Sequence, residues 1–414
     1  MKKRLKHFPL CWIIMLCLLS GCQNSGQFLA SNDDMASISP AETETPSAKS
    51  AIPSETIAPV TEQNIKADLA VVEALLNSVN IQKIYYGPAG TLLVRTLDTL
   101  YWYDINSGYT LAQCPVEDWL AVEYYSIENG CCAVGTLAPD ESTEGFSSDV
   151  AATVCIFYDE TLQEIRRIIL NDLGDGVDYV KCAAVSSNGN AIAYCTMDKL
   201  YYYDCTSDTL KLVLDFSRSQ IEVNKGLSSI ATLAFSPDGS EILFGANTYS
   251  LPIAIGQHSF LTYGCISLDG GNLQNLSFQN FEAGSMAGMA EGFLFFEESM
   301  KSATGNIAVV SSHDMTQKVY SLNTVSEGVS GLFCSQNGDY YATVKSETGQ
   351  WLIRIYSRET GELVIAKAVK ETNEEFFYRT PAIYILDDSE LCIVKLGGFS
   401  DIPSKVIAFS LLKG

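Results

Sequence analysis

Histidine is almost missing from this chain of 414 residues: there are three, and His7 lies in the N-terminal leader considered below, which leaves His258 and His313. A strand-end His and a loop His are a poor foundation for a nucleophile–base pair or a zinc site. Other marks of catalysis are missing too. "GSMAG" (284–288) has the wrong spacing for a GxSxG elbow. No GxxxxGK[ST] or GxGxxG phosphate loop occurs, and no CxxC or Cys/His metal spacing. Sequence does not exclude carboxylates that pair only in space. Cations are scarce: 26 Lys and Arg stand against 49 Asp and Glu, for a net charge of −23. That balance argues against nucleic acid and against an electrostatic grip on anionic lipid. It leaves a soluble, self-repelling surface or the recruitment of a basic partner. No cofactor is expected.

What is present begins at the N-terminus. "MKKRLK" is a basic stretch, and "FPLCWIIMLCLL" is an apolar run too short to span a bilayer comfortably. "LLSGC" follows, ending at Cys22, and it resembles the lipobox of bacterial lipoproteins. The resemblance implies a signal peptide over residues 1–21 and a diacylglycerol thioether on Cys22. It implies attachment to the bacterial cell membrane on its extracytoplasmic side, the outer membrane included if the organism has one. Each buried methylene of such an anchor adds about 0.8 kcal/mol, so two chains hold stably. An uncleaved signal anchor is the alternative. Cleavage would remove Lys2, Lys3, Arg4 and Lys6 and take the net charge from −23 to −27.

Residues 22–64 are rich in Ser, Thr, Pro and Glu and carry no periodic apolar face, so they read as a disordered tether. Roughly 40 such residues reach about 35 Å. In residues 65–80, Ile65, Leu69, Val72, Leu76 and Val79 recur at helical spacing. A short helix and a ring-closing strand are both open there.

From residue 81 the pattern changes to short apolar runs separated by turns, and it repeats. Seven segments open on "TLLVRTL" (91), "CCAVGTL" (131), "AIAYCTM" (191), "EILFGAN" (241), "GFLFFEE" (292), "DYYATVK" (339) and "ELCIVKL" (390). Each has a second apolar strand behind it, such as "TLYWYD" (99) or "KVIAFSL" (405). The turns before the first strand include "GPAG", "IENG", "SSNG", "SPDG" and "SQNG", whereas the seventh, "LDDS", has no Gly. Spacings of 40 to 60 residues suit a four-stranded propeller blade. The strands are apolar on both faces, which blades packed face to face require. "FSPDG" (235–239) resembles the repeat of TolB-type and WD-like β-propellers of bacterial envelopes. The resemblance covers about residues 81–414 and implies an all-β fold: one seven-bladed propeller of four-stranded antiparallel blades. The chain ends on the second strand of repeat seven, so that blade needs another strand or a substitute.

Of thirteen cysteines, ten lie beyond Cys22. Most sit inside apolar runs, where Cys packs as a small hydrophobe, and are expected to be free thiols. A vicinal Cys131–Cys132 disulfide is the alternative, since export permits disulfides. "NDLGDGVD" places Asp172, Asp175 and Asp178 in a glycine loop that faintly resembles a calcium loop. It lacks the alternate-position ligands and final Glu of an EF-hand, and an ordinary acidic turn is the plainer reading. Tyrosine is abundant, with 21 residues. It reads as outer-strand packing with hydroxyls reaching water, or as stacking surface for sugars.

Naming the strands of each blade A to D from the axis outward, A–B and C–D turns leave one face and B–C and D–A segments the other. The short turns fall on the first face. The long segments fall on the second: 137–149, 248–260 and 397–403, with 171–178, 216–229 and 277–288. Loops longer than geometry needs are where function usually sits. The candidate binding residues are Asp140, Glu141, Tyr249, Leu251, Pro252, Ile253, His258, Phe260 and Phe281. The expectation is a monomeric, non-catalytic, lipid-anchored module that binds a protein or envelope ligand on that face. Alternatives are a glycan-active enzyme with carboxylates at the propeller mouth, or an accessory sensor lipoprotein of a transporter or kinase.

Overall fold

The computed structural model describes residues 68–411, apart from connecting segments of which the longest are 138–151, 216–228, 249–259, 322–328 and 371–379. At residues 229–232, 245–248, 260–263 and 275–330 the described strands are backbone only. Cys22 and the segments read as signal peptide and tether lie outside the described residues.

Twenty-seven strands form seven open antiparallel sheets among the described residues, six of four strands and one of three. Sheet 1 holds β1 (Lys83–Tyr86), β2 (Thr91–Arg95), β3 (Thr99–Asp104) and β4 (Tyr109–Pro115). Sheet 2 holds β5 (Trp119–Ile127), β6 (Gly130–Leu137), β7 (Thr153–Tyr158) and β8 (Glu164–Ile169). Sheet 3 holds β9 (Cys182–Val185), β10 (Ala191–Cys195), β11 (Lys199–Asp204) and β12 (Thr209–Asp215). Sheet 4 holds β13 (Ser229–Phe235), β14 (Glu241–Thr248), β15 (Phe260–Ser267) and β16 (Leu273–Leu276). Sheet 5 holds β17 (Ala283–Met289), β18 (Gly292–Ser299), β19 (Ser302–Ser311) and β20 (Gln317–Ser321). Sheet 6 holds β21 (Val329–Cys334), β22 (Tyr340–Glu347), β23 (Gln350–Ser357) and β24 (Leu363–Lys370). Sheet 7 holds β25 (Ala382–Leu386), β26 (Leu391–Leu396) and β27 (Lys405–Ser410). The seven strand pairs read from the sequence are the second and third strands of these sheets.

Burial grades across each sheet. β7, β10 and β26 are buried at every residue, while β4, β8 and β24 are mostly exposed. These fully buried strands meet neighbouring sheets on both faces, which is why they lack alternation, whereas the third strands β3, β11 and β23 mix buried with half-buried residues. The apolar clusters straddle sheets. Leu93, Trp102, Tyr124 and Ile156 join sheets 1 and 2. Cys132, Phe157, Ile192 and Tyr194 join sheets 2 and 3, and Ala193, Leu200, Phe235 and Phe244 join sheets 3 and 4. Ile353, Ile355, Ile385 and Val394 join sheets 6 and 7. Ile84, Leu92, Tyr384 and Ile393 join sheet 7 back to sheet 1. Each fully buried Leu or Ile here contributes roughly 1.5–3 kcal/mol.

Two turn devices repeat. In the turn between third and fourth strands, an Asp carboxylate accepts from the turn's own amides. Asp104 Oδ1 accepts from Asn106 N at 2.9 Å, Asp159 Oδ1 from Thr161 N at 2.8 Å, and Asp204 Oδ1 from Thr206 N at 2.8 Å. In the turn between first and second strands, Gly189, Gly239 and Gly338 donate back to the carbonyls of Ser186, Ser236 and Ser335. Gly239 has φ +69°, with open space where a Cβ would stand. In "LDDS" the chain makes a related turn without glycine: Glu390 N donates to Asp387 O at 3.0 Å, and Glu390 takes φ +46°.

The segment left open between helix and strand is a helix, α1 (Leu69–Leu76). Asp68 caps it, its carboxylate accepting from Ala70 N at 2.9 Å. Val72 and Leu76 bury the stripe read from the sequence against sheet 7. Ile65 lies outside the described residues. The helix supplies what the missing fourth strand would. Asn77, just past its end, accepts from Val406 N at 2.8 Å and donates to Val406 O at 2.9 Å. Glu73 Oε1 accepts from Ala408 N at 2.7 Å. Side chains thus replace a backbone ladder along the outer edge of β27, an edge that would otherwise stay unpaired.

The tyrosine expectation needs correction. Several tyrosines are buried on first strands rather than facing water from outer strands. A first strand has one edge without a strand partner, and in sheets 2, 3, 6 and 7 a hydroxyl from a neighbouring sheet bonds to that edge. Tyr85 OH donates to Val122 O at 3.2 Å, and Tyr125 OH to Ala183 O at 3.2 Å. Tyr86 OH donates to Cys334 O at 3.3 Å and accepts from Ile385 N at 3.0 Å, tying sheet 1 to sheets 6 and 7. Tyr194 stacks on Tyr201 within sheet 3, with ring centroids 5.1 Å apart.

All ten cysteines in the described residues are free, eight buried and two half-buried. Cys131 and Cys132 point to opposite faces of β6, one into the sheet 1–2 core and the other into the sheet 2–3 core. Strand alternation therefore rules out the vicinal disulfide.

Candidate binding face

The two ends of the sheets differ. At one end the first-to-second strand turns interlock. Gln336 Nε2 donates to Gly87 O at 3.0 Å, and Gln336 N donates to Ile385 O at 3.0 Å. Glu128 N donates to Ser187 O at 2.9 Å. These bonds knit the turn rim among sheets 1, 6 and 7 and between sheets 2 and 3. Gly239 sits in the corresponding turn of sheet 4.

The long segments leave from the other end. Of the sequence-predicted binding residues, Asp140, Glu141, Tyr249, Leu251, Pro252, Ile253, His258 and Phe281 lie outside the described residues. Phe260 opens β15 opposite Thr248, at the end where the 249–259 segment departs. Two connections not singled out in the sequence, 322–328 and 371–381, join fourth to first strands at this same end.

The described part of this face carries residues that sequence reasoning passed over. Leu97, in the turn after β2, is 81 % exposed; Leu120, near the start of β5, is 63 % exposed; and Tyr179, just before β9, is 54 % exposed. The other exposed large apolar residues lie on outer strands or on α1, and none of them occupies a turn of the interlocked rim. Lys83, which opens β1, bonds both carboxylate oxygens of Glu123 through its Nζ at 2.6 Å, bridging β1 to β5. The Lys83 ammonium also lies 5.0 Å from the Tyr85 ring centroid. Burial, with the Glu123 carboxylate adding to it, pushes the Tyr85 hydroxyl well above the usual phenol range, while Arg95 opposes both. Tyr85 therefore stays a neutral donor. The available signal was a charge interrupting an apolar first strand, as in "IQKIYYG" and "AVEYYS".

Asp172 ends a 3₁₀ turn (Leu170–Asp172) and is exposed, whereas Leu170 plugs the core. Asn171 Oδ1 accepts from Thr153 N at 2.7 Å, so the turn is built around packing and a backbone cap. Asp175 and Asp178 lie outside the described residues. Among the described residues no group of three His, Cys, Asp or Glu is placed to hold a metal ion.

No family model and no curated protein matches the chain. Solved structures do. The β-propeller domain of Cps50 (Swd1) from Myceliophteria thermophila matches at TM-score 0.51 and 11 % identity, over 81 % of this chain and 98 % of that one. Hsv2 from Kluyvelomyces marxianus matches at TM-score 0.48 and 11 % identity, over 81 % and 100 %. Hydrazine synthase from Kuenenia stuttgartiensis matches at TM-score 0.48 and 12 % identity, over 80 % and 96 %. The first of these, with the sheet order above, shows the fold: the chain is an all-β protein of the β-propeller kind.

Proposed function

We propose that this chain is a non-catalytic binding module. In this reading the seven sheets are seven blades closed into one ring, with sheet 7 completed by α1. The chain is held to the outer side of a bacterial cell membrane by lipid on Cys22 and lifted from it by residues 22–64. It captures a protein or envelope ligand on the face of the long segments.

The asymmetry of the two faces carries this reading. On one face, turn-to-turn hydrogen bonds join sheets 1, 6 and 7 and join sheets 2 and 3. The other carries the long segments, exposed Leu97, Leu120 and Tyr179, and the Lys83–Glu123 pair. Apolar anchors beside a polar pair are the composition of a recognition surface.

The test replaces residues 249–259 with a short Gly-containing turn and follows capture by cross-linking in the cell envelope. The expected result is an unchanged melting temperature with the cross-linked partner lost. Capture that survives would refute the choice of face. A parallel Cys22→Ala variant should release the protein from the membrane; continued sedimentation with membranes would refute the anchor.

A further inference from the structure

Cys182 and Cys195 are direct partners in the register of β9 and β10. Their sulfurs stand 3.1 Å apart. Directly opposed residues of antiparallel strands have Cα atoms about 4.5–5.5 Å apart, inside the roughly 4.4–6.8 Å that a disulfide spans. Cys182 is half-buried on a first strand, and Cys195 is fully buried behind it. Cys182 is thus the less buried residue of the pair, and the Cys195 sulfur stands in place to resolve a mixed disulfide formed there.

The remaining cysteines lack this combination. Cys132 and Cys155 also lie together in one core, but both are fully buried and they are not register partners. Cys114 is half-buried, but faces Leu100 in the register. Exposure and a paired thiol coincide at Cys182 alone among the described residues.

We infer that Cys182 and Cys195 form a reversible cross-strand disulfide, making the start of β9 a thiol-oxidation site. Its co-reactant is a small disulfide or a disulfide oxidoreductase. The Cys182 thiolate attacks one sulfur of the oxidant, and one thiol of the oxidant leaves. The Cys195 thiolate then attacks Cys182 in the mixed disulfide and expels the second thiol. Two electrons and the two thiol hydrogens pass to the oxidant, and one S–S bond is gained as one is lost. The bond fixes the first strand of sheet 3 to its neighbour at the end where the long segments leave. The inference does not depend on the lipid anchor or on the identity of a partner.

The experiment takes the full chain, fully reduced and then equilibrated with oxidised glutathione. Peptide mapping without reductant and thiol counting after unfolding follow. The expected result is one linked peptide pair containing Cys182 and Cys195, a thiol count lower by two, and full reversal by dithiothreitol. Cys195→Ser should trap glutathione on Cys182, and Cys182→Ser should leave Cys195 unmodified. Glutathione retained on Cys182 of the unsubstituted protein, both thiols still free at equilibrium, or a different linked pair would each overturn the inference. The map of the unsubstituted protein decides the question even if neither variant folds.

Discussion

Replacing Asn77 with Ala tests how sheet 7 is completed. The Asn77 amide makes a donor and an acceptor bond to Val406, at 2.9 and 2.8 Å, and also donates to Glu73 O at 2.8 Å. Val406 is 3 % exposed. A backbone group left buried without a partner costs roughly 1–3 kcal/mol. Orphaning both Val406 groups should therefore cost about 2–6 kcal/mol, the low end applying if water reaches the edge. For a domain of roughly 340 residues the unfolding entropy is about 0.7 kcal/mol/K, so the melting temperature should fall by about 3–9 °C. Asn77→Asp should cost as much at neutral pH, because a carboxylate oxygen would face the Val406 carbonyl. Glu73→Gln keeps an acceptor for Ala408 N and should cost under about 1 kcal/mol. Circular dichroism reads the melting temperature, and hydrogen exchange across Lys405–Ser410 reads the site. A melting temperature within about 1 °C of the parent, with unchanged exchange at Val406 and Ala408, would show that α1 does not complete the sheet.

Three further outcomes follow from the turns and edges. Gly239→Ala should cost about 1 kcal/mol, all of it conformational, while Glu390→Gly should gain up to about 1 kcal/mol by relieving a positive φ; urea melts that move the other way would contradict the turn assignment. Tyr86→Phe keeps the ring but strands Ile385 N and Cys334 O, so a loss of about 1–3 kcal/mol is expected, and a neutral result would mean the hydroxyl does not join the sheets. Stability should also fall in acid. Thr206 and the turn amides hold the Asp204 carboxyl down at about 2, and hydroxyl and amide donors lower Asp159 and Asp269 as well. Burial alone would raise Asp238, but its bonds to Ser236 and Ser240 outweigh that. A carboxyl lowered on folding adds stability above its unfolded value of about 3.9, and the contribution is lost as pH falls through the folded value. The melting temperature should therefore be level from neutral pH to about 5 and fall between about 4 and 2, less steeply in Asp204→Asn, which keeps the acceptor. An acid limb unchanged in that variant would exclude the turn carboxylates as its source.

The blades were legible because their information is local. "SSNG", "SPDG" and "SQNG" set a turn within four residues, and strands such as "AIAYC" and "LCIVKL" show by their lack of polar alternation that both faces are covered. The closure of sheet 7 was not legible, because it depends on contacts far apart in sequence. Leu69, Val72 and Leu76 mark a helix, but nothing beside Asn77 tells that its amide meets Val406, 329 residues away. The tyrosines misled for the same reason. "YYG" and "EYY" look like surface aromatics until the neighbouring sheet brings a bare strand edge to their hydroxyls.

Each sheet of a propeller has two edges, and this chain treats them differently. The inner edges take tyrosine hydroxyls from the next sheet, so the bonds that satisfy the backbone also hold sheet to sheet. The outer edge of sheet 7 takes α1, which lies directly after the segment read as the tether. Force on that segment would then load Asn77 and Glu73, and through them β27. If residues 22–64 are the tether, pull on them reaches sheet 7 through the α1–β27 seam. A charge at the seam would weaken it, because a carboxylate at position 77 would face the carbonyl of Val406, which is 3 % exposed. The Asn77→Asp variant therefore reports on mechanical as well as thermal stability. Pulled from Asp68, it should open at lower force than the parent, while a variant in the 249–259 segment should not.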